Sequence, residues 1–172
     1  MPRFTPRFCI SCGGPLQARK GDDPLDDPDR ERLRCVAEGC GWSHYDNPTP
    51  VVAAIVRQGD DVLLVRNATW PAAWFGLVTG FLERGEAPDD AALREVKEEL
   101  GLDARLGEWV GVYPFFPMNQ VILVWQVEVP VGSEPTLSAE LAAFKRVSIE
   151  RLEPWPFATG DAVRDWLARV RS

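Results

Sequence analysis

The sequence predicts an α/β domain with a mixed sheet, placed after a small segment that carries all four cysteines. Three observations predict it. Apolar runs of strand length alternate with two amphipathic segments of helix length. Some connections are short enough for hairpins and others contain a helix, so antiparallel and parallel neighbours share one sheet. The cysteines form two close pairs that end at Cys40, well before the first long apolar run.

The first element is the cysteine segment. Cys9-Ile-Ser-Cys12 and Cys35-Val-Ala-Glu-Gly-Cys40 are two tight pairs, and two thiolate-bearing turns suit one tetrahedral zinc ion. Two disulfides are the alternative. The N-terminus reaches Cys9 without an apolar signal region, so a reducing cytoplasm is expected, where structural disulfides are uncommon. Gly13-Gly14 and Gly39 with Gly41 sit where such turns call for positive φ. The intervening stretch Gly21 to Asp29 reads as a solvated loop. It lacks the glycine and bidentate glutamate that an EF-hand calcium loop needs. A ribbon over residues 1–48 is too small to bury a core unaided, so zinc substitutes for burial there, and four thiolates leave no open position for catalysis.

Asn47-Pro48-Thr49-Pro50 marks a boundary, and a second domain is expected over 49–172. Val51 to Val56 and Val62 to Val65 read as a hairpin, and Trp74 to Val78 as a further short run ending at Thr79-Gly80. The spacing predicts a helix over 88–100: Pro88 suits its first turn, Asp89 and Asp90 its positive end, and Gly101 its stop. Leu93, Val96 and Leu100 give it one buried stripe. Strands are expected over 109–116, 120–129 and 145–149. Ala162, Val163, Trp166, Leu167 and Val170 outline a last amphipathic helix.

Nineteen Lys and Arg against 26 Asp and Glu leave a net charge of −7, which disfavours a non-specific grip on nucleic-acid phosphates or anionic lipid. No apolar run approaches the length of a membrane span. Nine acids and four bases lie between Glu83 and Glu108, five of the seven net charges. On the helix Glu95 and Glu99 stand one above the other with Glu98 beside them. Such a face repels itself unless a hard cation such as Mg²⁺ or Mn²⁺ sits over it. A solvated acidic face is the alternative.

The surrounding string extends from Gly80 through Glu86, Arg94, Glu95, Val96, Glu98 and Glu99 to Gly101 and Leu102. It matches G-x5-E-x7-R-E-U-x-E-E-x-G-U at every specified position. The chain thereby resembles the Nudix hydrolases, which cleave nucleoside diphosphates linked to another moiety. The resemblance implies a Nudix fold, a mixed sheet sandwiched by helices. It places metal ligation on Glu95, Glu98 and Glu99, with a backbone carbonyl at Gly80 or Thr79 completing the shell. Arg94 takes the place of the box arginine, which orients Glu98 and Glu86.

A zinc ribbon before a Nudix box resembles the NADH pyrophosphatase branch and its relatives that act on ADP-ribose or FAD. His44-Tyr45-Asp46-Asn47-Pro48 matches their linking stretch, and Tyr45 takes the place of a tyrosine near the nucleotide. Where that branch has S-Q-P-W-P-F-P-x-S, this chain has Val112 to Gln120, keeping the Pro and aromatic character without Ser-Gln, the Trp or the closing Ser. Tyr113, Phe115 and Phe116 remain candidates to stack a nucleobase, with core or dimer packing as the alternative. Glu140 takes the place of a late glutamate that serves as a further ligand or as the base. The expected function is Mg²⁺-dependent hydrolysis of a small nucleoside diphosphate derivative of ADP-ribose, FAD or NADH type. Glu98 or Glu140 is the base, structural Zn²⁺ holds the ribbon, and the family implies a homodimer. One competing expectation keeps the enzyme but moves its substrate to capped RNA ends, against which the acidic balance speaks. The other is a non-enzymatic zinc-ribbon nucleotide sensor or nucleic-acid-binding regulator. The intact box and the lack of a basic run in residues 9–48 weigh against it.

Overall fold

A computed structural model describes residues 5–20 and 29–172. They fall into two compact units that divide between Asn47 and Pro48. The first is a three-stranded antiparallel sheet in the order β1 (Leu16–Lys20), β2 (Glu31–Cys35), β3 (Ser43–His44). Most of the loop expected over Gly21 to Asp29, residues 21–28, lies outside the described residues.

The second unit is built on β4 (Thr49–Gln58) and β5 (Asp61–Asn67), whose apolar runs form the expected hairpin. The strands β6 (Val78–Phe81), β7 (Arg105–Phe115), β8 (Gln120–Glu128) and β9 (Leu141–Ser148) complete the sheet. Its order is β7-β8-β4-β5-β9, with β6 also paired to β4. Strand β4 runs parallel to β8, from Thr49 opposite Gln120 to Arg57 opposite Glu128, and antiparallel to β5 and β6. The sheet is therefore mixed.

Alternate residues of β4 face opposite ways. Ala54 and Val56 meet Val96 and Leu100 of α1 (Pro88–Leu100), whereas Ala53 and Ile55 meet Val163 and Trp166 of α2 (Gly160–Val170). Helix α1 begins with Pro88 at its first position and ends on Gly101 at φ 68°, a left-handed stop that only a residue without a Cβ adopts easily. Fully buried Trp166 satisfies its indole N–H with Gln126 Oε1 at 2.9 Å.

Four expectations shift. The run from Trp74 is a strand only from Val78, because Trp74 closes a turn onto Pro71 and Gly76 makes an isolated bridge with Val65. Strand β9 starts earlier than expected, at Leu141, since Leu141 and Phe144 pack on the α1 side. Strand β7 also begins early, at Arg105, and reaches Trp109 through irregular register. Leu93 is only partly buried, and the small Ala91 and Ala92 instead bring α1 against Val52. Among the described residues no helix is long and apolar enough to cross a membrane.

Candidate active site

Helix α1 gathers its acids around one guanidinium. Arg94 donates Nε to Glu86 Oε1 at 2.7 Å and Nη2 to Glu86 Oε2 at 3.0 Å, a bidentate pair across the loop. Its Nη1 reaches Glu95 Oε1 at 2.7 Å and Glu98 Oε2 at 2.9 Å, and Nη2 also reaches the Phe81 carbonyl at 3.1 Å. Arg94 holds Glu86 below the usual carboxylate range, and the three carboxylates hold the Arg94 proton more tightly in return. The Phe81 carbonyl is a partner that sequence spacing did not show, because backbone acceptors carry no side-chain signature.

Glu95 and Glu99 differ from Glu86. Burial pushes both upward, against Arg94 in the case of Glu95. Glu99 is pushed up to about 8, first by burial and then by the charges of Glu95, Glu140 and Glu98. Its Oε2 is buried without any hydrogen-bond partner. Gly80 forms the opposite wall: a Cβ there would overlap the Glu95 carboxyl, so only glycine lets that carboxylate lie against the backbone of β6.

Glu140 comes from a distant loop. The Thr136 N–H donates to the Leu100 carbonyl at 2.8 Å and the Ser138 N–H to the Glu99 carbonyl at 3.0 Å. These two bonds satisfy carbonyls that the end of α1 leaves open, and they bring the loop to the acidic face. The structure thus brings together Gly80, Glu86, Arg94, Glu95, Glu98, Glu99 and Glu140. A buried, unpartnered carboxylate oxygen among like charges fits a hard divalent cation.

The aromatic candidates fall elsewhere. Tyr113 and Phe115 pack on the α2 side of the sheet. The Tyr113 hydroxyl donates to Asp165 Oδ2 at 2.8 Å, and burial with that carboxylate pushes it up to about 12. Phe116 stands exposed on a 3-10 turn. Tyr45 belongs to the first unit, where the Arg32 guanidinium lies 4.7 Å from its ring centre.

In the first unit the four cysteine sulfurs lie within 4.8 Å of one another. Cys9 and Cys40 are 3.7 Å apart and Cys12 and Cys35 3.5 Å. These are too long for disulfides and close to the edge of about 3.8 Å that Zn–S bonds of about 2.3 Å give a tetrahedron. The N–H groups of Ser11 and Gly14 donate to Cys9 and Cys12. Gly13, Gly39 and Gly41 have positive φ as expected, but Gly14 does not. It is needed for space, since a Cβ would press on Ala37 and on the sulfurs of Cys12 and Cys35. The Ala37 N–H favours the Cys35 thiolate, but burial and the neighbouring sulfurs of Cys12, Cys40 and Cys9 leave that thiol pushed up to about 12. The cluster fits a cation that takes up thiolates.

Comparison with known proteins agrees with this geometry. The NAD-capped RNA hydrolase NudC of Stutzerimonas stutzeri is 33% identical over 104 residues, which are 60% of this chain and 34% of that protein. NudC of Pseudomonas aeruginosa is 28% identical over 150 residues, 87% of this chain and 50% of that one. The chain therefore spans half or less of the length of these curated relatives. A crystal structure of a NUDIX hydrolase from Nitrosomonas europaea shares the fold at a TM-score of 0.78 and 24% identity, covering 96% of this chain and 92% of that one. Residues 47–168 match the family model described as the NUDIX domain. They include the whole carboxylate helix and its glycine wall, and the chain belongs to the NUDIX family.

Proposed function

We propose that this chain is a divalent-metal-dependent pyrophosphohydrolase that cleaves the diphosphate link of a nucleoside diphosphate derivative, of ADP-ribose, FAD or NADH type, and releases a nucleoside monophosphate. The observation that carries this is the unpartnered Glu99 oxygen on the helix of a NUDIX domain, buried among the carboxylates of Glu95, Glu98 and the loop residue Glu140. Glu95, Glu98 and Glu99 would hold Mg²⁺ or Mn²⁺, with a backbone carbonyl at Gly80. Bound there, the cation supplies charge neutralisation for phosphate oxygens and a more acidic water. Arg94 fixes the rotamers of Glu86, Glu95 and Glu98. Glu98, the most exposed carboxylate Arg94 touches, or Glu140 takes the proton of the attacking water. Zinc on Cys9, Cys12, Cys35 and Cys40 is the structural ion of the first unit.

The activity for which the NudC relatives are named supports a second substrate reading, an RNA end capped with NAD. The test incubates zinc-loaded protein and Mg²⁺ with ADP-ribose, FAD, NADH and a short NAD-capped RNA, and follows nucleoside monophosphate or uncapped RNA by chromatography. Release from a small dinucleotide, lost in Glu99→Gln, supports the first reading. Release from the capped RNA alone selects the second. No product from any substrate with Mg²⁺ or Mn²⁺ overturns both. Light scattering on the same sample tests the expected homodimer.

A further inference from the structure

The α2 side of the sheet carries a second group of chemically marked side chains. Trp74 and Phe157 lie with ring centres 5.6 Å apart at 43°. Both nevertheless remain about half exposed, 52% and 49%. Phe75, next to Trp74, and Trp155, two residues before Phe157, are packed against the core, so the exposed rings stand on a fixed base.

Two cations lie near Phe75, the chain neighbour of Trp74. Lys145 Nζ sits 4.5 Å from the centre of the Phe75 ring. In the antiparallel register Leu64 is opposite Lys145 and Arg66 opposite Ala143, which places Arg66 and Lys145 as diagonal neighbours on the face of Leu64. Arg66 Nε is buried without a hydrogen-bond partner. Among the described residues neither cation has an ion pair with a carboxylate, in a chain of net charge −7.

The loop that carries Phe157 is held in a costly conformation. Ala158 has φ 48°, a left-handed backbone that a residue with a Cβ rarely adopts, and a Cβ on Gly160 would overlap the Trp155 carbonyl. Such strain persists where the surrounding structure fixes it. The segments that carry Arg66 and Trp74 also run on to the carboxylate site. Just beyond Arg66 the Ala68 N–H donates to the Glu140 carbonyl at 2.8 Å, and the segment after Phe75 continues into β6 and Gly80.

We propose that Trp74, Phe157, Arg66 and Lys145 form the subsite for the nucleoside 5′-phosphate half of the substrate. The base lies on the exposed aromatic faces, which accept any base, and the two cations receive the phosphate. The identity of this ligand rests on the pyrophosphohydrolase reading. The subsite takes the place of Tyr113 as the base contact, because the Tyr113 hydroxyl is engaged with Asp165.

The test is calorimetric titration of the zinc-loaded protein, without Mg²⁺, with AMP, GMP, CMP and UMP, and with ribose 5-phosphate and adenosine. At least one nucleoside monophosphate binds. Phe157→Leu and Trp74→Leu weaken it by about five-fold to a hundred-fold, the worth of one base stack, and leave ribose 5-phosphate unchanged. Phe157→Tyr, which keeps the ring, restores binding. Lys145→Gln and Arg66→Gln weaken both phosphates and leave adenosine unchanged. No binding of any nucleoside monophosphate by folded wild-type protein, or equal binding by all four weakening variants, overturns the subsite. The hydrolytic reading fails separately, through absent turnover in protein that still binds these nucleotides.

Discussion

The cysteine cluster and the carboxylate helix both crowd metal-ligand side chains together, but they do so in opposite ways. The four sulfurs converge to within 4.8 Å of one another, with N–H groups of Ser11 and Gly14 on two of them and a glycine where any Cβ would intrude. The carboxylates are instead drawn sideways onto Arg94, leaving only Glu99 with an unpartnered buried oxygen. An internal cation, Arg94, neutralises part of the second cluster. The difference separates a site whose metal would maintain the fold from one whose metal would come and go with substrate.

Removing the metal from each site should therefore have unequal consequences, and the larger falls on the ribbon. Cys12→Ser, or a strong chelator, should abolish the ordered β1-β2-β3 sheet, because Cys9 is the only hydrophobic residue buried among that unit's described residues. Hydrogen exchange would show β2 amides losing protection while β4 and β8 keep theirs. Retained protection in β2 of zinc-free protein would break the comparison on the ribbon side.

On the carboxylate side the largest expected loss is in rate. Glu99→Gln keeps the shape and removes the charge, so kcat should fall about a thousand-fold or more, the several kcal/mol that metal-held charge is worth. The fold, read by circular dichroism, should persist. Arg94→Lys comes next. Lysine cannot make the forked contact with Glu86 or reach Glu95 and Glu98 together, so Mg²⁺ affinity and turnover should drop about ten-fold to a hundred-fold. A Mg²⁺ titration of turnover that matches wild type would show that Arg94 does not position the ligands.

The legibility of the two sites in the sequence follows the same contrast. Both candidate ligand clusters could be picked out because their spacing is local: Pro88 and Gly101 bracket α1 as expected, and helical period alone stacks Glu95 on Glu99. What Arg94 binds was partly legible, in Glu98 one turn away and Glu86 from the loop, but its bonds to Glu95 and to the Phe81 carbonyl were not. Glu140 reaches the helix because Thr136 and Ser138 bond carbonyls at its end, a contact between distant segments that no periodicity signals. Glu140 was named only through the family resemblance. The contact of Trp74 with Phe157, also between distant segments, went unread, and the Tyr113 hydroxyl bond to Asp165 was hidden because it joins β7 to α2. Gly14 was assigned to backbone conformation when its cause is the space beside two sulfurs.

The smallest expected effect is a pH dependence of the protein without Mg²⁺. Glu99 is pushed up to about 8 in the folded chain by burial and by Glu95, Glu140 and Glu98, and Glu95 is raised in the same direction. Below the ordinary carboxylate range of about 4.5 both states are protonated and these groups cost nothing. As pH rises from there to about 8, the unfolded chain releases the Glu99 proton while the folded chain retains it. Folding stability therefore falls across that window, by on the order of 1 kcal/mol per pH unit at most, and levels off above it. Glu86, held low by Arg94, works the other way: its contribution is present above the ordinary range and lost on acidification. Thermal melts of zinc-loaded protein from pH 5 to pH 8 should show a declining midpoint, a shallower decline in Glu99→Gln, and a recovery near pH 8 on adding Mg²⁺. A flat profile in Mg²⁺-free wild-type protein would mean that Arg94 alone neutralises the face, and that the carboxylates do not require the cation to remain charged.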